Sequence, residues 1–167
     1  MTSTYTTTTT RTHTATHLTD VIMGAIADIL ADLGIDLTTL YRDWTQDENA
    51  ISAWILEGSL KEVVLECHQP RGTVAPVIEF PIAYRASGTG DTEFTASRAR
   101  LARFRAKLDR VPAGTTYRLF CTFNGPRTPQ PGWSPGTRAS TQGLRSINYG
   151  TLGSAPDASA SMRYLYR

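Results

Sequence analysis

The stretch TTYRLFCTFN, residues 115–124, decides the fold class. Tyr117, Leu119, Cys121 and Phe123 alternate with Arg118, Phe120 and Thr122, the two-residue period of a β-strand with two different faces. The alternation sends Leu119 and Cys121 to a core and Phe120 to the opposite side. The reading is a central strand of a sheet.

The segment after this strand is different in kind. Residues 125–141 crowd Pro126, Pro129, Pro131, Gly132, Pro135 and Gly136 around Trp133. A structureless loop of this length is uncommon inside a compact domain and is usually functional or mobile. Two strand-like pieces, near 144–151 and 159–166, close the chain. Upstream, Phe94, Leu101, Phe104, Leu108 and Val111 mark a helix of about four turns. Its other face carries Arg98, Arg100, Arg103, Arg105, Lys107 and Arg110, and Pro112 and Gly114 stop it. Residues 86–91 form a Gly/Ser/Thr loop. Before that, 60–69 and 74–84 are apolar, strand-like runs joined by the turn residues Pro70, Arg71 and Gly72, a β-hairpin. Val63, Leu65 and Cys67 share one face, against Glu62, Glu66 and His68. Pro76 and Pro81 lack a backbone donor, so the second strand is expected to bulge, to end there or to lie at an edge.

Two helical patterns come first. Leu18, Val21, Ile22, Ala25, Ile26, Ile29, Leu30 and Leu33 form a wide apolar stripe over 18–33, stopped by Gly34. Residues 37–44 read as a short helical turn. A second helix runs from a cap at Asp47 to Gly58 with Ile51, Trp54 and Ile55 inward. Residues 1–16 are nearly a Thr tract with little to bury, a loose arm or an edge strand. The order of elements makes an α+β domain.

With 167 residues, 40% apolar and 19% charged, the chain is one domain with one core. Two cysteines make no disulfide framework, and Cys67 and Cys121 read as buried free thiols. The apolar run 21–30, broken by Asp28, is short for a membrane span, and the first 17 residues lack a signal-peptide stretch. No membrane association and a cytoplasmic location are expected. The net charge of +2 hides an asymmetry: residues 1–93 carry 5 basic and 13 acidic side chains, and residues 94–167 carry 12 and 2. Either the halves meet within one fold, or the basic half meets an acidic partner.

Catalytic constellations are weak. Gly132-Trp133-Ser134-Pro135-Gly136 fits G-x-S-x-G, but the residue after the Ser must donate a backbone N–H to an oxyanion, and Pro135 has none. His13, His17 and Asp20 could share a helix face, without the Glu of H-E-x-x-H or other ligands at spacing, so no metal is assigned. His68 lies on a polar strand face with no catalytic role expected. Gly88-Thr89-Gly90 lacks the third Gly and the Lys of a phosphate loop. No carboxylate pair nominates an acid and a base. The basic helix over 94–110 could track phosphates, but no aromatics stand among its cations; a solvated face paired with the acidic half is the favoured reading.

Four stretches in order resemble the bacterial HORMA domain family. They are the Thr-rich lead through Arg11-Thr12-His13 into the first helix; GSLKEVVLEC at 58–67 turning back into VIEFPIAY at 77–84; VPAGTTYRL at 111–119; and PGWSPGT at 131–137 leading through RAST to Gly143-Leu144. The resemblance spans essentially the whole chain, 1–167, as a single domain. It implies three helices packed on a mainly antiparallel sheet, a flexible arm (1–16), a core (17–124) and a C-terminal safety belt (125–167). It further implies a non-enzymatic switch without cofactors. The belt wraps a closure-motif peptide that adds as a strand. The closed form binds and activates a cGAS/DncV-like nucleotidyltransferase of a CBASS antiphage defence system, and an AAA+ remodelling ATPase pulls it open. The peptide groove is expected along Thr116, Arg118, Phe120 and Thr122, beside the 94–110 helix and under Trp133. The expected belt hinges are Gly125, Gly132, Gly136 and Gly143. The ATPase handle is expected at Thr6, Thr7, Thr8, Thr9 and Thr10. Nucleic acid would be met only indirectly. Two alternatives stay open: a small basic-faced nucleic-acid-binding domain, and a chain that donates a closure motif to another HORMA protein.

Overall fold

The computed structural model describes residues 4–85 and 93–167; the 86–92 stretch holding Gly88-Thr89-Gly90 lies outside them. The elements are α1 (Thr4–Leu33), α2 (Thr38–Arg42), α3 (Trp44–Glu57), β1 (Leu60–His68), β2 (Val74–Tyr84), β3 (Thr95–Ala96), α4 (Arg98–Arg105), β4 (Thr116–Phe123), β5 (Arg145–Ser154) and β6 (Ala158–Tyr166). All strands pair antiparallel in one six-stranded sheet of order β3-β5-β6-β2-β1-β4. The α+β class is therefore as read.

α1 is the long core helix, and it begins well before the expected residue 18. The Thr-rich lead is helical from Thr4 rather than a loose arm or an edge strand. Tertiary packing carries the extension. Thr16 and Thr19 hydroxyls donate to the carbonyls four residues back, Arg11 donates to Leu56 O at 2.8 Å, and Thr14 and Ala15 are buried. Thr10–Leu33 is long and apolar enough to cross a bilayer by length and composition, which the 21–30 run understated. Here its side chains Leu18, Ile22, Met23, Ile26, Ile29 and Leu30 are fully buried in the domain core.

α3 starts one turn earlier than expected. Asp43 occupies the cap position, and Asp47 is buried within the first turn instead of capping it. Gly58, at φ 80°, ends the helix, with Gly58 N–H donating to Ile55 O and Ser59 N–H to Trp54 O. The hairpin is as read, closed through Gln69 N–H to Thr73 O at 2.9 Å. β2, however, is interior to the sheet despite its prolines. Pro76 sits beside the register irregularity opposite residues 66–68 of β1. Pairing with β6 runs through residues 77–79 and 82–84, and Pro81 lies in the gap between.

The expected four-turn helix over 94–111 shrinks to α4. Ser97 caps it by accepting from Arg100 N–H. Phe94 is exposed rather than buried, and residues 95–96 pair with β5 instead. Phe104 alone of its two phenylalanines reaches the core.

The faces of the sheet separate cleanly. Val63, Leu65, Cys67, Ile78, Phe80 and Ile82 point at the helices. Registers Val64↔Glu79, Val64↔Phe120, Glu66↔Arg118 and Glu79↔Arg163 put those residues on the outer face. β4 is an edge strand, not the central one. Its alternation holds: Tyr117, Leu119, Cys121 and Phe123 pack toward the helices and Phe120 toward the outer side, all only half-buried.

Candidate functional site

The site forms where β4 runs out of neighbours. β1 occupies one side of β4, and no strand among the described residues occupies the other. The chain then leaves β4 through Asn124, whose N–H bonds Ser59 O at 2.9 Å, and stays irregular to residue 144.

The first leg of this segment lies against α3. Trp54 Nε1–H donates to Thr128 O at 2.7 Å, and Thr128 N–H donates to Glu57 Oε1 at 3.0 Å. That bond holds the Glu57 carboxyl below its ordinary range. Trp133 meets Trp54 edge to face at 5.4 Å, and Trp54 meets Phe123 at 4.9 Å. The Arg127 guanidinium lies 4.3 Å from the centre of the Phe123 ring. Gly132 has φ 81°, and a Cβ there would fall 2.0 Å from the Gln46 side-chain amide. The positive φ favours glycine, and any larger residue would also push the Gln46 side chain aside.

The second leg lies on the outer face. A Cβ on Gly136 would come 3.2 Å from Phe120 Cε1. Leu144 packs with Phe120 on buried Val64, Val77 and Leu165. Between them Arg138 reaches Glu62 Oε1 at 3.0 Å and Glu79 Oε2 at 2.9 Å, and Ala139 N–H donates to Glu66 Oε2 at 2.9 Å. The segment thus passes from the helix side, around the β4 edge, to the outer side. It then delivers the chain to β5 and β6 beyond β2.

A cavity of about 520 Å³ sits at this bend. Leu119, Cys121 and Phe123 line it from one face of β4 and Phe120 from the other, with Trp54 and Trp133 as its far wall. The Trp133 indole nitrogen is buried without an acceptor. Burial pushes the half-buried Cys121 thiol up; a free thiol is as expected, full burial is not. Asp47 lies behind β4, within the electrostatic reach of Tyr117 and Cys121. Burial, helped by Asp43, raises its pKa to about 6.

Of the residues read from sequence, Phe120 and Trp133 meet at this cavity. Thr116, Arg118 and Thr122 share the outer face with Phe120 but do not line it, and Thr122 Oγ1 is buried without a partner. The helix beside the groove is α3, not the basic helix; α4 packs on α1 and β5, toward the other end of the sheet. Gly132 and Gly143 have positive φ, whereas Gly125 and Gly136 do not. The segment is also better tied than its composition suggests, because its bonding partners are side chains of α3, β1 and β2. Thr6 to Thr10 lie within α1. His17 bonds Thr95 O at 2.7 Å, and no group of three metal-ligating side chains occurs among the described residues.

Sequence reasoning passed over Trp54, Glu62, Glu66, Glu79 and Arg138. The available signal was three glutamates inside otherwise apolar strands, which demand buried partners. The arginines among those partners, Arg138 and Arg163, come from the basic half, as does Arg105 on Asp32 at 2.6 Å. Part of the charge asymmetry is therefore satisfied within the fold.

The chain's architecture is similar to that of several solved structures. One is a chain of the mitotic checkpoint complex: TM-score 0.74, 9% identity, 92% of this chain and 98% of that one covered. Another is Caenorhabditis elegans HTP-1 bound to the HIM-3 closure motif: 0.68, 13% identity, 89% and 88% covered. A third is the Escherichia coli MS115-1 HORMA:CdnC:Trip13 complex: 0.61, 16% identity, 93% and 89% covered. At these identities the likeness speaks for the fold. No curated protein matches the chain in sequence. The family model described as bacterial HORMA domain 2, by contrast, matches residues 1–167 without remainder. A six-stranded antiparallel sheet backed by helices, with its C-terminal segment bent around one edge, thus belongs to a member of the bacterial HORMA domain family.

Proposed function

We propose that this chain is a regulatory switch that wraps a closure-motif peptide against the outer edge of β4. The observation that carries this reading is the unpaired edge of β4 enclosed by the bend of residues 124–144. A peptide adding there as a strand would satisfy the outward main-chain groups of β4. Its side chains would alternate between the two faces, and the Trp54–Phe123–Trp133 cavity suits an apolar one. The free Trp133 N–H offers a donor to a peptide carbonyl. Closure-motif complexes of similar folds support the reading.

In its wrapped form the chain would bind and activate a cGAS/DncV-like nucleotidyltransferase in antiphage defence, and an AAA+ ATPase would reopen it. The support is the similar fold found in a complex with CdnC and Trip13. The ATPase would engage Thr6 to Thr10 and, because these residues are helical, would first have to unwind the start of α1. The protein's own role is binding rather than catalysis, in the cytoplasm.

A displayed random-peptide library tests this. Peptides carrying an apolar anchor should be selected by the chain. Phe120→Ala and Trp133→Ala should weaken the selected peptide tenfold or more while circular dichroism stays native. Absence of any selected peptide, together with steeply salt-dependent binding to plain duplex DNA, would favour the nucleic-acid alternative instead.

A further inference from the structure

Three carboxylates, Glu62, Glu66 and Glu79, lie side by side on the outer face of β1 and β2, and each residue is at least nine-tenths buried. Buried carboxylates need cations or donors. Here Arg138 bridges Glu62 and Glu79 with its two terminal nitrogens, and its Nε lies 3.9 Å from Glu66. Ala139 N–H takes Glu66 Oε2. Arg163 on β6 adds Glu79 at 2.6 Å and Glu62 at 3.6 Å. His68 adds Glu66 at 3.0 Å. Apart from His68, every one of these partners comes either from the outer leg of the bend, Arg138 and Ala139, or from Arg163 on β6.

We infer that Arg138 is the latch of the wrapped segment, and that the Glu62–Glu66–Glu79 socket has its full set of partners only when that segment is in place. The inference rests on the wrapping function proposed above and adds how it is held. Withdrawing residues 138–139 leaves Glu62 with Arg163 at 3.6 Å and Glu66 with His68 alone, while Glu79 keeps Arg163 at 2.6 Å. The latch is polar, directional and released as a unit, unlike an apolar cover. An arginine suits the place, because its planar guanidinium offers separate terminal nitrogens to two carboxylates in fixed geometry; a lysine keeps the charge but must serve both from one nitrogen. Arg138 positions the segment and does not line the peptide cavity.

The test uses the full chain. In Arg138→Gln, amides 137–143 should exchange hydrogen at least tenfold faster than in the parent, while amides 60–68 of β1 stay unchanged. Arg138→Lys should fall between the two. A library-selected peptide should leave Arg138→Gln at least tenfold faster. Should Arg138→Gln not fold, the neutral set Glu62→Gln, Glu66→Gln, Glu79→Gln and Arg138→Gln removes the orphaned charges; its 137–143 amides should still exchange tenfold faster. Exchange and peptide lifetime within twofold of the parent in Arg138→Lys and in the neutral set would overturn the latch. The two readings fail separately. A loosened segment in a chain that binds no library peptide sinks peptide wrapping and keeps the latch. A peptide bound with unchanged lifetime and exchange sinks the latch and keeps wrapping.

Discussion

On the helix side of the sheet, Phe80, Ile78, Val63 and Leu65 interlock with Ile22, Ile26, Leu30 and Trp54 in one continuous apolar cluster. On the outer side a small apolar patch, Val64, Val77 and Leu165, lies beside a socket of carboxylates covered by the wrapped segment. The first cover is held by close packing, which has no released alternative short of unfolding. The second is held by a few directional bonds from one stretch of chain. The switch proposed above would have to break the second kind of contact on the outer face, together with the Trp133–Trp54 contact on the helix side.

Breaking the packed face should have the largest effect. Phe80→Ala removes a fully buried ring and should lower unfolding stability by about 3–5 kcal/mol in a urea titration. A loss below about 1 kcal/mol would mean that the helix side is as yielding as the outer side.

Asp47 sharpens the contrast, since it is a carboxylate on the helix side with no cation paired to it among the described residues. Its pKa of about 6 stands above the ordinary 3.8. The folded chain therefore holds a proton that the unfolded chain releases. The stability this group contributes is complete below about pH 4 and is lost as pH rises through about 6. Asp47→Asn should then stabilise the domain by about 1–2 kcal/mol near neutral pH and change little near pH 4. Urea titrations at both pH values check the sign; a variant equally stabilised at both would refute it.

The smallest effect belongs to the basic face of α4. Arg105 reaches Asp32 at 2.6 Å, but the pair is substantially exposed. Arg105→Ala should cost about 0–1 kcal/mol at low ionic strength, and less in high salt. A larger, salt-insensitive loss would mean that surface ion pairs hold this domain as strongly as the socket does.

The parts legible in the sequence are those whose physics is local. The stripe from Leu18 to Leu33, the hairpin around Gly72 and the alternation of 116–123 are periodic signals, and each produced its element. The Thr tract misled because Thr favours extended chain on propensity, whereas packing of Ala15 and Leu18 carries the helix through it. The 94–111 pattern misled because only Leu101 and Phe104 of its apolar residues lie in α4; Phe94 precedes β3, and Leu108 and Val111 lie in the connector to β4. That β4 is an edge depends on where β5 and β6 pair, and no local signal encodes that. Phe120 and Trp133 were found because each is a large aromatic lacking an obvious core position. Glu62, Glu66, Glu79 and Arg138 were not joined, because 59 to 76 residues separate the partners in the chain.

The central claim is that a peptide joins the sheet at β4, inside the bend. Amide hydrogen exchange across residues 116–123, read with and without a library-selected peptide, tests it most directly. Amides of β4 facing away from β1 should exchange freely in the free chain and become strongly protected in the complex, together with residues 127–138. Protection appearing elsewhere, with β4 amides unchanged, would contradict it.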